Sequence, residues 1–357
     1  MLYSKSIRLV NFLRLTVLCV CIIGVSGCSE TKQENPEQTS VKSVAPAPAE
    51  LSEARPLAGA EAEVKSLQYR VKPGDVFRYK FSQRDKLVQD GMNAETEQIL
   101  YYTKTIKAVK SDGSVEMSVR YDSIRLSNDY PDAQDSTKRA SSSYNSSNKA
   151  DRENKEYSQY NGIIGEDVTM LVSKDGRISE ISGLTPLLSK IFGEMKDSLN
   201  VQMQEQALEQ IKVQLYLRPM QQEYQNYPDG GTIDSSKSWK RSERSPLSGV
   251  FLVDNDIAYR LDAVKNVGMR KAAYISAKLT SKIVNPLQKQ GSITFKLNKS
   301  EISGSGETVL DVDKGYTILK KNTINTMIDA VLGDAKTKQS KRALQTLVST
   351  MKVELIR

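Results

Sequence analysis

Residues 97–124 read EQILYYTKTIKAVKSDGSVEMSVRYDSI, and this stretch decides the fold. Val115, Met117, Val119 and Tyr121 recur at every second position, the period of a half-buried strand. Glu97–Val109 before them is rich in strand-forming residues. Ser111-Asp112-Gly113-Ser114 between the two runs predicts a hairpin turn. Upstream, Asp75–Ser82 (DVFRYKFS) sets Phe77, Tyr79 and Phe81 on one face against Val76, Arg78 and Lys80. Downstream, Asp167–Val172 and Arg177–Ile181 flank the turn Lys174-Asp175-Gly176. Short strands at regular spacing predict an antiparallel meander.

Two segments interrupt it. Ala133–Tyr160 is rich in Ser, Asn and Lys and reads as a long surface loop. From Leu184 to Leu217, apolar residues from Leu188 to Leu215 repeat at three and four, which predicts one amphipathic helix. Its period weakens near Asn200, and the helix is expected to end before Pro219. Strand patterns then resume at Ser238-Trp239, Asp256–Val264, Ala272–Ile283, Ser292–Leu297, Gly306–Val312, Tyr316–Ile328 and Leu344–Leu355. The halves echo each other weakly, with Gly165-Glu166 before a strand in one and Gly306-Glu307 in the other. The expected class is therefore α+β, mainly antiparallel β: two curved meander sheets, read as an internal duplication, joined and covered by the helix.

Composition removes several chemistries. Among 357 residues there is no histidine, and the three cysteines all lie within the first 28 positions. Histidine is the usual general base near neutral pH and the commonest metal ligand. No Ser-His-Asp or Cys-His site and no His-ligated metal is available, so the expectation is no enzyme, no metal and no cofactor. Two fragments with the flavour of active or metal sites fail on inspection. Ser146-Ser147-Asn148-Lys149 is a formal S-x-x-K, but it lies in a Ser- and Lys-rich loop without a rigid helix start. Asp311-Val312-Asp313-Lys314-Gly315 and Asp254-Asn255-Asp256 lack the alternating ligands of a calcium loop and read as turns.

At the N-terminus, Lys5, Arg8 and Arg14 precede an uncharged run from Leu15 to Gly27, too short to span a bilayer and suited to a signal-peptide core. Val25-Ser26-Gly27-Cys28 resembles the lipobox of bacterial lipoproteins. That resemblance implies signal-peptidase recognition at Val25, Ser26 and Gly27, and lipidation of Cys28. Three acyl chains would anchor the chain stably in a membrane. Ser29 after the cysteine, where Asp would imply inner-membrane retention, favours the outer membrane. Beyond it the Pro-, Ala-, Glu- and Ser-rich stretch to Val64 reads as a disordered tether. The formal charge of +8 conceals an acidic tether and a basic body, since 45 basic face 36 acidic residues beyond position 64. A basic body suits anionic lipid or glycan. The resulting division is 1–27 signal peptide, 28–65 lipidated cysteine and tether, 66–184 first β-rich half, 185–217 helical connection and 218–357 second β-rich half.

The body resembles a family of uncharacterised bacterial envelope lipoproteins, a domain of unknown function, across most of residues 68–300. The matching elements are Val71-Lys72-Pro73-Gly74-Asp75, Asp135-Ser136, Tyr160-Asn161-Gly162, Asp175-Gly176-Arg177-Ile178 with Ile181-Ser182-Gly183-Leu184, and Tyr227-Pro228 ahead of Trp239. Ser236-Lys237-Ser238 departs from the Gly-Asp that the family shows before that tryptophan. The resemblance implies no established activity. Two functions are therefore expected in the envelope, neither involving nucleic acid. One is a non-enzymatic lipoprotein presenting a β-rich surface to another envelope protein, glycan or lipid. The other is a binder or carrier of a lipid or other apolar ligand held between the curved sheet and the helix.

Overall fold

The structure is a computed structural model. It describes residues 51, 53–132, 138–193, 200–247 and 250–356. The strands are β1 (Arg55–Pro56), β2 (Val76–Gln89), β3 (Met92–Val109), β4 (Val115–Pro131), β5 (Arg139–Asn145), β6 (Asp167–Val172), β7 (Ile178–Ser182), β8 (Ser238–Leu247), β9 (Phe251–Val267), β10 (Arg270–Ile283), β11 (Leu287–Gln290), β12 (Ile293–Asp311), β13 (Thr317–Asp334) and β14 (Gln339–Ile356). The α-helices are α1 (Lys149–Glu153), α2 (Ser158–Asn161), α3 (Thr185–Phe192), α4 (Val201–Ile211) and α5 (Arg218–Tyr224).

The expected strands are present but longer. β2 and β3 continue past their apolar residues because a backbone ladder needs no apolar side chain once its register is set. Asp90 (φ 50°) and Gly91 (φ 83°) set that register, both left-handed as a type I′ hairpin turn requires. Ser292–Leu297 and Gly306–Val312, expected as two strands, are parts of the single 19-residue β12, which carries a register shift near Leu297 and Lys299.

All strands belong to one antiparallel sheet of 14 strands rather than two sheets. The meander of the second half runs β8-β9-β10-β12-β13-β14, and β14 then pairs with β2, Val353 opposite Phe81 and Leu355 opposite Tyr79. Left apart, β2 and β14 would each expose a long row of unpaired N–H and C=O groups. Joining them removes both edges.

Two further expectations are corrected. Residues 138–160 of the supposed loop carry structure: β5 pairs with β4, and α1 is capped by the Asn148 side chain. The tether does not run free to residue 64, since Arg55–Pro56 pairs with β9 at Asn266 and Lys265. The described part of the expected tether runs on from β1 through Leu57, whose N–H donates to Val264 O at 2.9 Å, to a 3-10 turn at Gly59–Ala62. Residues 28–50 and 52 of the tether, the signal peptide and the Asp135-Ser136 motif lie outside the described residues.

The helical connection differs at its far end. After α4, residues Lys212–Leu217 form a π-helical stretch that runs straight into α5, with Pro219 in its first turn. Proline lacks an N–H and its ring collides with the carbonyl four residues back. The wider i→i+5 turn places that carbonyl elsewhere, so the chain passes through Pro219 and stays helical to Tyr224. Among the described residues no helix is long and apolar enough to cross a membrane.

Candidate functional site

Strand alternation aims one face of the sheet at the helices. Cross-strand pairing aligns Tyr79, Tyr102 and Tyr121 on that face, and all three are fully buried. Tyr79 and Tyr102 stack with ring centroids 5.7 Å apart, while Tyr102 meets Tyr121 edge-on at 6.1 Å. Leu187, Leu188, Ile191, Ile211, Leu215 and Met220 pack onto this floor and are themselves buried. The interval between sheet and helix is thus occupied by side chains. It holds a core.

Each hydroxyl in the tyrosine row finds an acceptor. Tyr79 Oη donates to Thr317 O at 2.9 Å, Tyr121 Oη to Leu215 O, and Tyr102 Oη to Glu223 Oε1 at 2.5 Å. Glu223 also pairs with Lys104, and both side chains are 1% exposed. Lys104 Nζ donates to Tyr224 Oη at 2.8 Å and sits 4.2 Å from the Tyr79 ring centroid. Burial pulls the Lys104 ammonium below its usual range, and Glu223 holds it up only in part. Burial pushes the Tyr102 and Tyr79 phenols far up, with the Glu223 charge adding to it. A closed pair whose hydrogen bonds are made has nothing left to offer a ligand. It fixes α5 on the sheet.

The second buried lysine is different. Lys320 lies on β13 in the inward row with Thr308 of β12 and Val353 of β14, and is 4% exposed. It has no hydrogen bond or ion pair with any described residue. Burial lowers its ammonium to about 7, with Glu243 working against the shift and Arg241 with it. Lys320 lines a cavity of about 230 Å³ formed by β8, β9, β10, β12, β13 and the end of α5. The walls are mixed. Leu247, Val253, Ile257, Leu279, Ile302 and Ile324 supply apolar surface, while Gln222, Gln225, Glu243 and Asn322 gather at the helix end. Gln225 Nε2 donates to Glu243 at 3.1 Å, and Asn322 Nδ2 donates to Gln222 Oε1 at 3.1 Å. Next to the trough lies a second apolar cluster, Phe251, Val253, Ile283, Phe295, Ile328 and Ala330.

On the outward face of β8, β9, β10 and β12, Lys240, Arg260 and Lys278 border a shallower groove of about 820 Å³ over Ser276, Ser303 and Ser305. Arg260 pairs there with Asp262 at 2.5 Å. Its cations are exposed, so this larger hollow is a solvated sheet face.

The sequence candidates fall as follows. Cys28, Val25, Ser26 and Gly27 lie outside the described residues. Ser146 Oγ accepts from Ile124 N at 2.9 Å, whereas Lys149 is 88% exposed and faces Glu153, so the S-x-x-K forms no dyad. Asp311 Oδ1 accepts from the backbone N–H groups of Asp313 and Lys314 in a turn, and Asp254 pairs with Arg244. Among the described residues, no three His, Cys, Asp or Glu side chains are grouped to hold a metal. Lys320 and Glu223 were missed, although Tyr102-x-Lys104-x-Ile106 and Ile318-x-Lys320 each place a lysine at an inward strand position, a legible sign of a buried charge.

A single antiparallel sheet, sealed at one part of its inward face by a tyrosine-rich core and open beside it to a mixed trough, defines an α+β protein of mainly antiparallel β structure. The chain belongs to a family of unknown function, DUF6263, whose model matches residues 112–319. That span takes in the Tyr160-Asn161-Gly162, Asp175–Ile178 and Tyr227-Pro228 motifs and leaves Val71–Asp75 outside. No curated protein matches the chain. Among solved structures, one of lipid–protein interactions in lipovitellin aligns with TM-score 0.44 and 10% identity over 80% of this chain and 25% of that one. DynF from the dynemicin biosynthesis pathway of Micromonospora chersina aligns at 0.16 with 8% identity, covering 89% and 92% of the two chains. An outer membrane channel from Pseudomonas putida F1 aligns at 0.16 with 5% identity, covering 84% and 99%. The chain spans about a quarter of the length of the lipovitellin chain. At these scores none of the three carries an argument about fold or function.

Proposed function

We propose that this chain is a non-enzymatic, lipid-anchored lipoprotein of the bacterial cell envelope whose β-rich body binds a ligand bearing an apolar part. One observation carries the binding: a trough with mixed walls, apolar along the strands and polar at the helix end, opens beside the helix, between two filled apolar clusters. The ligand site in this reading lies past the end of α5 rather than beneath the helices, whose described inward residues Leu187, Leu188, Ile191, Ile211 and Leu215 are buried in the core. Pockets that take small molecules are mostly apolar with a few convergent polar groups, and this lining has that character. Such a ligand is held without covalent chemistry, which suits a body without histidine and, beyond Cys28, without cysteine. Organic-solvent extraction of the purified protein, followed by mass spectrometry, is expected to release a small apolar-bearing molecule. An extract with none would leave only the reading of a β-rich surface that meets another envelope component.

Attachment follows from the N-terminal segment. Acylated Cys28 inserts in a membrane, the outer one by the Ser29 criterion, and the acidic tether spaces the basic body from it. Val25, Ser26 and Gly27 present the cleavage site. The two β-rich halves descend in this reading from one duplicated meander. Cys28→Ala is expected to abolish incorporation of radiolabelled palmitate in growing cells; label retained at the wild-type level would defeat the anchor assignment.

A further inference from the structure

The strongest feature outside the core is a buried lysine on the trough wall. Lys320 is buried, borders the trough and has no hydrogen bond or ion pair among the described residues. Burying an unpaired ammonium is costly, so such a group either gives up its proton or gains a partner. The groups around it do not serve. Its strand neighbours Thr308 and Val353 are uncharged, as are Ala277 of β10 and Gly306 of β12, and Tyr259 of β9 is neutral. From β8, Arg241 repels it and Glu243 attracts it without closing an ion pair, because the Glu243 carboxylate accepts from Gln221 and Gln225 instead. On α5, Glu223 is committed to Lys104. One neutral donor is also spare: the Gln222 amide nitrogen has no partner among the described residues, its Oε1 accepting from Asn322.

We propose that the trough takes an amphiphile with a single negative charge, its carboxylate set against Lys320 and the Gln222 amide and its apolar tail laid between Ile257, Leu279, Ile302 and Ile324. This assignment rests on the ligand-binding reading above and gives that ligand its chemistry. The head carries one charge because Lys320 is the lining cation without a partner among the described residues, and Glu243 in the same lining repels anions and so disfavours a second negative charge. The tail is short, since the open trough of about 230 Å³ holds about eight water-sized units at about 30 Å³ each. A charge-assisted hydrogen bond in a buried site is stronger than a neutral one.

The proposal is tested on the full chain in lipid nanodiscs, with empty nanodiscs as the partition control. Octanoate, 1-octanol and octylammonium are titrated calorimetrically into wild type and into Lys320→Met, which replaces the ammonium with an apolar chain of similar length. Octanoate is expected to bind wild type at least about tenfold more tightly than octanol, and Lys320→Met to erase that preference while still binding octanol. Lys320 carries its proton below about 7 and loses it above, whereas octanoate stays ionised throughout. Affinity of wild type for octanoate is therefore expected to fall about tenfold from pH 6 to pH 8, and that of Lys320→Met to stay level. Octanol or octylammonium binding as tightly as octanoate overturns the anionic head while leaving the trough in place. Binding of none of the three overturns both. A Lys320→Met chain that fails to fold is replaced by Ile324→Trp, which fills the trough and keeps the lysine: octanoate binding that survives there overturns the site.

Discussion

Glu223→Ala is expected to lower the stability of this protein by about 3–5 kcal/mol, the cost of leaving one member of a buried ion pair uncompensated. Lys104 would stay in the core with only Tyr224 Oη and the faces of two tyrosine rings for company. Tyr102 would lose its acceptor as well. At roughly 2–4 °C per kcal/mol for a large domain, the melting temperature falls by about 10 °C. The pair itself is not where the stability comes from, because desolvating two charges offsets most of their attraction. Replacing the whole unit, Lys104→Met with Glu223→Leu and Tyr102→Phe, is therefore expected to recover most of the loss. Urea unfolding monitored by circular dichroism reads both results. A single substitution costing under about 1 kcal/mol would mean that the pair is solvated and α5 is not seated as described.

Gly315→Ala is the second large effect. Gly315 has φ +75°, and a Cβ there would sit 1.9 Å from Gln68 O. The contact is backbone against backbone, so no rotamer relieves it. Arg70 N donates to Lys314 O at 2.7 Å and Tyr227 Oη donates to Gly315 O, so a shift here also disturbs buried Leu67, Tyr69 and Tyr227. Left-handed geometry alone costs a non-glycine residue about 1–2 kcal/mol, and the displaced segment raises the total to about 3–4 kcal/mol. Gly91→Ala is the matched control: its φ of +83° carries similar strain, but its Cβ would meet nothing within 4 Å. Equal destabilisation of the two variants would contradict the close packing of residues 66–71 on the β12–β13 turn.

What was legible in the sequence was local. The alternation of Val115, Met117, Val119 and Tyr121 and the turn before it are properties of a few adjacent residues, and β3 and β4 stand where the pattern puts them. The union of two meanders into one sheet was not legible, because nothing in Leu347–Leu355 names β2 as its partner across more than 250 residues of chain. β5 was hidden by composition: Ala140, Ser142 and Tyr144 do alternate inward, but small polar residues weaken the signal. Pro219 misled for a physical reason, since its rule applies to an α-turn and the chain there forms a π-turn. The trough could not be read at all. Its walls come from five strands and a helix end, and only their pairing brings Lys320, Glu243 and Gln222 to one place.

If the helices close a core and a ligand site opens beside it, the two should separate in one experiment. Native mass spectrometry of the full-length protein released from nanodiscs tests that arrangement most directly, on wild type and on Ile324→Trp. One bound small molecule per wild-type chain and none on the variant are expected. A wild-type chain that flies empty, or a variant that keeps the same adduct, would contradict it.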